Sequence, residues 1–346
     1  MKFYFAPLEG ITGYIFRNAY RHSFGSADKF FTPFITPSGK KCLNDKERND
    51  ILPEHNEGLY VVPQLLTRNA EDFLKACQEL KDYGYREVNL NLGCPSGTVV
   101  SKGRGAGFLA DAKALRMFLD EVFAYAPVSV SVKTRLGMES ASEWSDLLQL
   151  YNQYPLKELI VHPRLRKDYY NGSPDLDAFA YAAERSVNPI CYNGDIVSVQ
   201  DYMHIRECFP ALERVMIGRG FLRNPFLLEQ LRRQEGKDSF VPAFPDRQTF
   251  QEVSGIPTFS GQAEKSGERA FAQPPDFERF RRFHEELLRG YQDYMSGDTP
   301  VLFKMKELWF YMQDLFPEDV KLLKKVRKAK SLGEYESIVR TAFHAS

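Results

Sequence analysis

Glu87-Val88-Asn89-Leu90-Asn91-Leu92-Gly93-Cys94-Pro95 carries the pattern that decides the fold. A short run containing apolar residues ends in a turn signal, and helical spacing follows. The same rhythm recurs on both sides. Upstream lie Lys2–Ala6 (KFYFA), Phe30–Ile35 (FFTPFI) and Tyr60–Leu65 (YVVPQL). Downstream lie Val128–Lys133 (VSVSVK), Glu158–His162 (ELIVH), Pro189–Asn193 (PICYN) and Arg214–Ile217 (RVMI). Helical stretches between them include Asn69–Tyr83, Ala112–Tyr125, Ser142–Tyr154 and Ser198–Cys208. Strands that alternate with helices pair in parallel. Eight of them within about 230 residues predict an α/β fold, a (β/α)8 TIM barrel. The alternative is a doubly wound open sheet, which needs a reversal of strand order.

After about Gln230 the rhythm stops. Residues 232–275 are rich in Gly, Ser, Pro and charge without periodicity, as in a linker or insertion. From Phe277 helical spacing returns, with Phe280, Phe283, Leu287 and Leu288 on one face and Leu308, Met312 and Leu315 on another. Pro317 is placed to begin a further helix. The expected organisation is a barrel over residues 1–231, a linker over 232–275 and a helical domain over 276–346.

Forty-six basic and 46 acidic residues give a formal net charge of zero, so any case for a polyanionic partner rests on local patches. Cys42, Cys77, Cys94, Cys191 and Cys208 lack CxxC spacing, which predicts neither a disulfide framework nor a metal site. Cys191 and Cys208 are expected to be small buried hydrophobes. The N-terminus lacks a basic region followed by a long apolar run, and no stretch approaches the roughly 18 apolar residues of a membrane span. A cytoplasmic protein, monomeric by default, is the expectation.

Polar and small residues fall repeatedly at strand ends, where barrel active sites are built. Pro7, Leu8 and Glu9 follow the first strand, and Gln64 closes the third. Asn91 and Cys94 close the fourth, followed by the loop of Lys102 and Arg104. Lys133 and Arg135 close the fifth, His162 and Arg164 the sixth, Asn193, Gly194 and Asp195 the seventh, and Gly218 and Arg219 the eighth. Each motif alone is an ordinary turn or core feature. Together they suit a phosphorylated flavin. Gly194, Gly218 and Arg219 stand where barrels bind phosphate. Lys133 and Gln64 would meet the polar edge of the ring, where a cation stabilises the charge of reduced flavin. Pro7-Leu8-Glu9 would lie against the ring.

APLEGIT (Ala6–Thr12), NLNLGCP (Asn89–Pro95), KGRGAG (Lys102–Gly107), VKTR (Val132–Arg135), His162-x-Arg164, NGD (Asn193–Asp195) and MIGRG (Met216–Gly220) occur in one order. In this the chain resembles the tRNA-dihydrouridine synthases over about residues 1–230, and its helical tail resembles their C-terminal domain in position and class. The resemblance implies bound FMN, NADPH as reductant, and reduction of the C5–C6 bond of specific uridines in tRNA. It implies FMN contacts at Pro7, Leu8, Gln64, Lys133, His162, Asn193, Asp195, Gly218 and Arg219, and a catalytic Cys94. Leu8 departs from the usual Met, Glu9 from a small residue, and Pro163 from a Gly.

In the implied reaction hydride passes from FMN N5 to uracil C6, and Cys94 protonates C5. A free thiol, with pKa near ~8.5, is mostly protonated at neutral pH and can donate. The glycines after Cys94 could let that segment close over the base. A uridine must be extruded to reach the flavin. Candidate RNA contacts at strand ends are Asn91, Lys102, Arg104, Arg135 and Arg164. In Lys321–Lys330 (KLLKKVRKAK), Lys321, Lys324, Lys325 and Lys328 share a helix face, while Leu322, Val326 and Ala329 pack inward. Arg279, Arg281 and Arg282 would add to that face if the fold brings them near. Two alternatives are a dihydroorotate-dehydrogenase-like flavin oxidoreductase and an inactive tRNA-binding protein. The basic tail argues against the first, and Cys94 with Lys133 against the second.

Overall fold

Side chains along a strand alternate between two faces, and here both faces are buried. A computed structural model describes residues 1–39, 41–236, 276–312, 315–316 and 321–345. Its strands are β1 (Lys2–Phe5), β2 (Lys29–Phe31), β3 (Val61–Val62), β4 (Gln64–Leu65), β5 (Glu87–Leu92), β6 (Ser129–Arg135), β7 (Leu159–His162), β8 (Ile190–Tyr192) and β9 (Arg214–Ile217). All pair in parallel in the order β3-β2-β1-β9-β8-β7-β6-β5-β4. The two ends of that order, β3 and β4, are successive pieces of one stretch, so the sheet closes into a barrel.

The third expected strand is split because Pro63 has no N–H for the ladder. β3 pairs with β2 and β4 with β5, and a bridge from Ile35 to Leu65 spans the break. The second strand ends at Phe31 instead of Ile35, two residues before Pro33. Helices follow the strands, among them Tyr14–Phe24, Ala70–Asp82, Ala112–Tyr125, Glu143–Tyr151, Leu176–Arg185 and Val199–Cys208. Several are capped where a polar side chain precedes them: Asn69, Asp111, Asp175 and Ser198 each accept a backbone N–H of the first turn.

Alternation sorts the strand residues into layers. Val88, Leu90, Leu92, Val130, Val132, Leu159, Val161 and Val215 face the helices in the main core. Tyr4, Phe31, Val62, Ile160, Cys191 and Met216 fill the barrel interior. At the N-terminal end of the barrel the interior is ionic. Lys29 Nζ lies 2.8 Å from Glu87 and 3.2 Å from Glu158, and the Tyr4 hydroxyl donates to Glu158 at 2.6 Å. Arg214 approaches the same Glu158 carboxylate at 3.5 Å. Two cations and two carboxylates close this end without net charge.

The last barrel helix, Leu227–Gln234, runs past the expected boundary at 231. Most of the expected linker, 237–275, and Pro317 lie outside the described residues. The helical part comprises Phe277–Tyr294, Asp298–Met312, Leu322–Lys328 and Leu332–Ala345. Helix Phe277–Tyr294 lies on Tyr14–Phe24 of the barrel. The Phe283 ring meets Phe16, Tyr20 and Phe24 edge-on. A Cβ at Gly290 would come within 2.7 Å of Ile15 Cγ2, so only glycine allows this approach. Arg279–Glu229 at 2.9 Å and His22–Glu286 at 2.7 Å flank the contact. Within the helical part Trp309 donates to the Tyr335 hydroxyl at 2.6 Å, and that hydroxyl lies 2.5 Å from His284 Nε2. Burial pushes His284 down to about 3, so the ring is neutral. No helix among the described residues is long and apolar enough to cross a membrane.

Lys29→Ala leaves two buried carboxylates facing each other. Removing one partner of such a group costs about 3–5 kcal/mol. Urea unfolding at neutral pH should show that loss, and a change below about 1 kcal/mol would mean that water reaches the layer.

Candidate active site

Above the apolar layer the interior turns polar, and one hydrogen-bonded chain crosses it. Asn91 Oδ1 accepts the backbone N–H groups of Gly93 at 3.0 Å and Cys94 at 2.9 Å. Its Nδ2 must therefore point away, and it donates to Gln64 Oε1 at 2.7 Å. Gln64 Nε2 donates to Asn89 Oδ1 at 2.8 Å, and Asn89 Nδ2 to Ser131 Oγ at 3.0 Å. Ser131 ends the chain on the Val88 carbonyl at 3.2 Å. Backbone donors at one end and a backbone acceptor at the other assign every amide in between.

Cys94 is half-buried where this chain ends. A Cβ at Gly105, whose φ is +56°, would lie 2.9 Å from the Cys94 carbonyl oxygen, and one at Gly107 would lie 2.7 Å from that of Val100. Both glycines are buried. Gly105 thus allows close packing against Cys94 itself, and Gly107 against Val100. Burial pushes the Cys94 thiol up, while the Ser96 N–H, Lys133 and Arg135 pull it the other way. The net rise keeps it protonated at neutral pH. Cys191 is buried inside the barrel as expected, but Cys208 is exposed at a helix end.

Cations dominate the ends of β6 to β9. Desolvation lowers Lys133 to about 8, with Arg135 adding in the same direction. Burial, and then the charges of Lys133, Arg135, Arg164 and Arg219, hold His162 well below the usual range. Arg164 Nη1 lies 3.1 Å from His162 Nε2 and can only donate, so Nε2 accepts and Nδ1 carries the proton. Asp195 bridges Arg164 and Arg219, the latter at 2.6 Å, and its own φ of 25° is rare outside glycine. Asn193 Nδ2 is held by the Met216 carbonyl at 2.8 Å.

This end of the barrel fits an anionic planar cofactor. A Cβ at Gly218 would sit 3.3 Å from Ala6 Cβ and 3.4 Å from Leu8 Cδ1, so its absence opens a cradle beside the β1 motif. A Cβ at Gly194 would meet the Tyr192 hydroxyl at 2.7 Å. Lys133, the His162 Nδ1–H and Arg219 are all donors, and an anion would relieve their mutual repulsion.

The model of the family described as "Dihydrouridine synthase (Dus)" matches residues 4–329. The chain belongs to the dihydrouridine synthase family. With the family comes its class, an FMN-dependent oxidoreductase. The chain is 26% identical over 241 residues to tRNA-dihydrouridine synthase B of Pasteurella multocida, covering 69% of this chain and 71% of that protein. It is 28% identical over 258 residues to a probable tRNA-dihydrouridine synthase of Staphylococcus epidermidis, covering 69% of this chain and 74% of the relative. Histamine dehydrogenase from Rhizobium sp. 4-9 shares the barrel, with a TM-score of 0.51 and 12% identity over 68% of this chain and 46% of that one.

The structure brings Pro7, Leu8, Gln64, Asn91, Cys94, Lys133, His162, Asn193, Gly194, Asp195, Gly218 and Arg219 to one end of the barrel. Glu9 stands near the same end, close enough to Cys94 to push its thiol up, and also lines a cavity of about 180 Å³ shared with Tyr291 and Lys304 of the helical part. Arg135 and Arg164 are corrected from RNA contacts to internal braces, being 1% and 2% exposed. Arg135 donates to the carbonyls of Gly93, Leu165 and Tyr169, and Arg164 to those of Asn171 and Gly172. Lys102 is exposed and Arg104 half-buried. Arg279 and Arg281 are engaged in ion pairs with Glu229, Glu278 and Glu285. Sequence reasoning missed Tyr170, whose ring lies 4.7 Å from the Arg219 guanidinium and 5.4 Å from that of Arg135. Its signal was an aromatic residue in the loop after a barrel strand.

Lys133 is cationic below pH 8 and neutral above. FMN binding to flavin-free protein should weaken as pH rises through about 8, and Lys133→Met should remove that step. Flavin titrations across pH 6.5–9.5 check this, and a flat wild-type profile would remove Lys133 from the site.

Proposed function

We propose that this member of the family uses NADPH to reduce the C5–C6 double bond of specific uridines in tRNA, with Cys94 as the proton donor. The observation that carries the reading is a thiol kept protonated by burial and anchored through Asn91 at the end of the barrel that holds Lys133 and Gln64. FMN, when bound, supplies the hydride that passes from N5 to C6 of the uracil. Gly218, Arg219, Asn193, Gly194 and His162 would hold its phosphate side, with Asp195 orienting Arg219. Lys133 and Gln64 would meet its polar edge, and Pro7 and Leu8 its face.

Charge then develops at C5 of the substrate, and the Cys94 thiol delivers a proton there. The thiolate left behind is stabilised by Lys133 and Arg135, which already favour it. Solvent returns the proton.

Extruding the base costs a few kcal/mol, which contacts to the RNA backbone must offset. Lys102 and Arg104 beside Cys94 are candidates on the barrel. On the helical domain Lys321, Lys324, Lys325 and Lys328 are exposed, while Leu322, Val326 and Ala329 are buried beneath them. The barrel over residues 1–231 thus does the chemistry, and 276–346 holds the RNA. On this reading the enzyme is cytoplasmic and acts as a monomer.

The purified protein should be yellow, lose its colour with NADPH, and regain it with tRNA lacking dihydrouridine as that tRNA becomes modified. Recovery with orotate but not tRNA would overturn the reading. Cys94→Ala should cut dihydrouridine formation by at least about 100-fold with flavin content retained, and wild-type rates in that variant would remove the thiol as donor. Changing Lys321, Lys324 and Lys328 together to Ala should weaken tRNA binding and flatten the log–log salt dependence by about 0.7–0.9 per lost phosphate contact. An unchanged slope would make the stripe a solvated face.

A further inference from the structure

Helix Asp298–Met312 buries one face and leaves two phenylalanines on the other. Val301, Leu302, Met305, Leu308, Trp309 and Met312 are in the core, whereas Phe303 is 64% and Phe310 56% exposed. Seven residues, about 10.5 Å along the axis, separate them, so both rings stand on one stripe two turns apart. A single exposed apolar residue needs no explanation. Two rings in register, bordering one groove with cations, point to a partner. Phe303, Lys306, Glu307, Phe310, Tyr311 and Arg327 line that groove. Lys306 Nζ is 6.0 Å from the Phe303 ring centre, and Tyr311 meets Phe310 edge-on at 5.5 Å. The one carboxylate among these lining residues, Glu307, is 2.5 Å from Lys304.

The groove also leads toward the active site. Tyr311 is close enough to Tyr170, Arg219 and Arg223 to feel their charges. Lys304 of the same helix donates to the Gly10 carbonyl in the β1 motif at 2.6 Å. On the other side Arg327 adjoins Lys324 and Lys328.

We propose that Phe303 and Phe310 are a stacking platform for unpaired nucleotides of the tRNA that flank the extruded uridine. The inference rests on the tRNA reading above and adds a binding site to it. Aromatic faces interleaved with cations match single-stranded RNA, whose bases offer π-faces and whose phosphates meet Arg327, while Lys306, beside the Phe303 ring, donates to the Ala329 carbonyl and adds its charge to the groove. A second copy of the chain would bring the same cations against each other. Stacking is indifferent to base identity, so the platform stabilises the opened strand without choosing the uridine. It also holds the neighbours of that uridine out of the tRNA core, which lowers the cost of extrusion.

The test uses the FMN-loaded full chain with tRNA lacking dihydrouridine. Phe303→Ser and Phe310→Ser alter exposed side chains, so flavin content and helicity serve as controls for folding. Each single variant should weaken tRNA binding about tenfold, and the double variant further, because base–aromatic stacking is worth ~1–3 kcal/mol per base. The salt slope should stay unchanged, which distinguishes lost stacking from lost phosphate contacts. Phe310→Trp should restore wild-type affinity, as a merely structural role for the position would not. Unchanged affinity in the double variant, or a dimer in sedimentation that the double variant dissolves, would overturn the platform. Failure of the wild-type protein to bind and reduce tRNA would instead overturn the underlying functional reading.

Discussion

The carboxamide oxygen of Asn91 accepts two backbone N–H groups, those of Gly93 and Cys94, and everything behind it follows from that saturation. The amide nitrogen has to donate to Gln64, Gln64 to Asn89, Asn89 to Ser131, and Ser131 to the Val88 carbonyl of β5. In a buried, weakly polarisable interior each unmade bond would cost about 1–3 kcal/mol. The chain is therefore satisfied as a unit. Its effect is to pin the turn that carries Cys94 to three strands of the barrel wall. A thiol on a loose loop could face any direction, whereas this one is anchored through its own backbone.

Electrostatics divide the barrel along its axis. At one end Lys29 and Arg214 balance Glu87 and Glu158 within the buried layer. At the other, Lys133, Arg135, Arg164 and Arg219 converge on a neutral histidine, opposed chiefly by Asp195. An anion such as a flavin phosphate would be stabilised by that field. Arg135 and Arg164 contribute to that field while their donors hold the loops after β5 and β7 in place.

The helical domain is seated against the first helix and the β1 motif of the barrel. Gly290 lets one helix press against Ile15, and Lys304 reaches the backbone of the motif that begins at Ala6. Docking at these points orients the outer face of Asp298–Met312 beside the barrel mouth. The orientation of the proposed RNA surface is thereby tied to the segment expected to lie against the flavin.

Local pattern in the sequence was enough for the barrel, because strand and helix periodicities depend on near neighbours and closure follows from their number. β5 and β9 occupy the expected residues, and the strand-end motifs that resemble the family converge as their order implies. The buried face of Leu322, Val326 and Ala329 was equally legible, since a helix fixes which residues share a side. What lay beyond reach was burial of side chains by distant segments. Arg135 and Arg164 look like phosphate ligands in one dimension, and only the return of residues 165–172 over them supplies the carbonyls that engage them. The close approach of Gly105 to Cys94, and of Gly107 to Val100, was likewise not legible from glycine content alone. Phe303 and Phe310 belong to an amphipathic pattern that has too many apolar residues for one face, and which of them stay outside was decided by where the helix docks. Sequence determines what each segment can become; the fold decides which polar groups meet one another and which remain to meet a partner, because that depends on contacts between residues far apart in the chain.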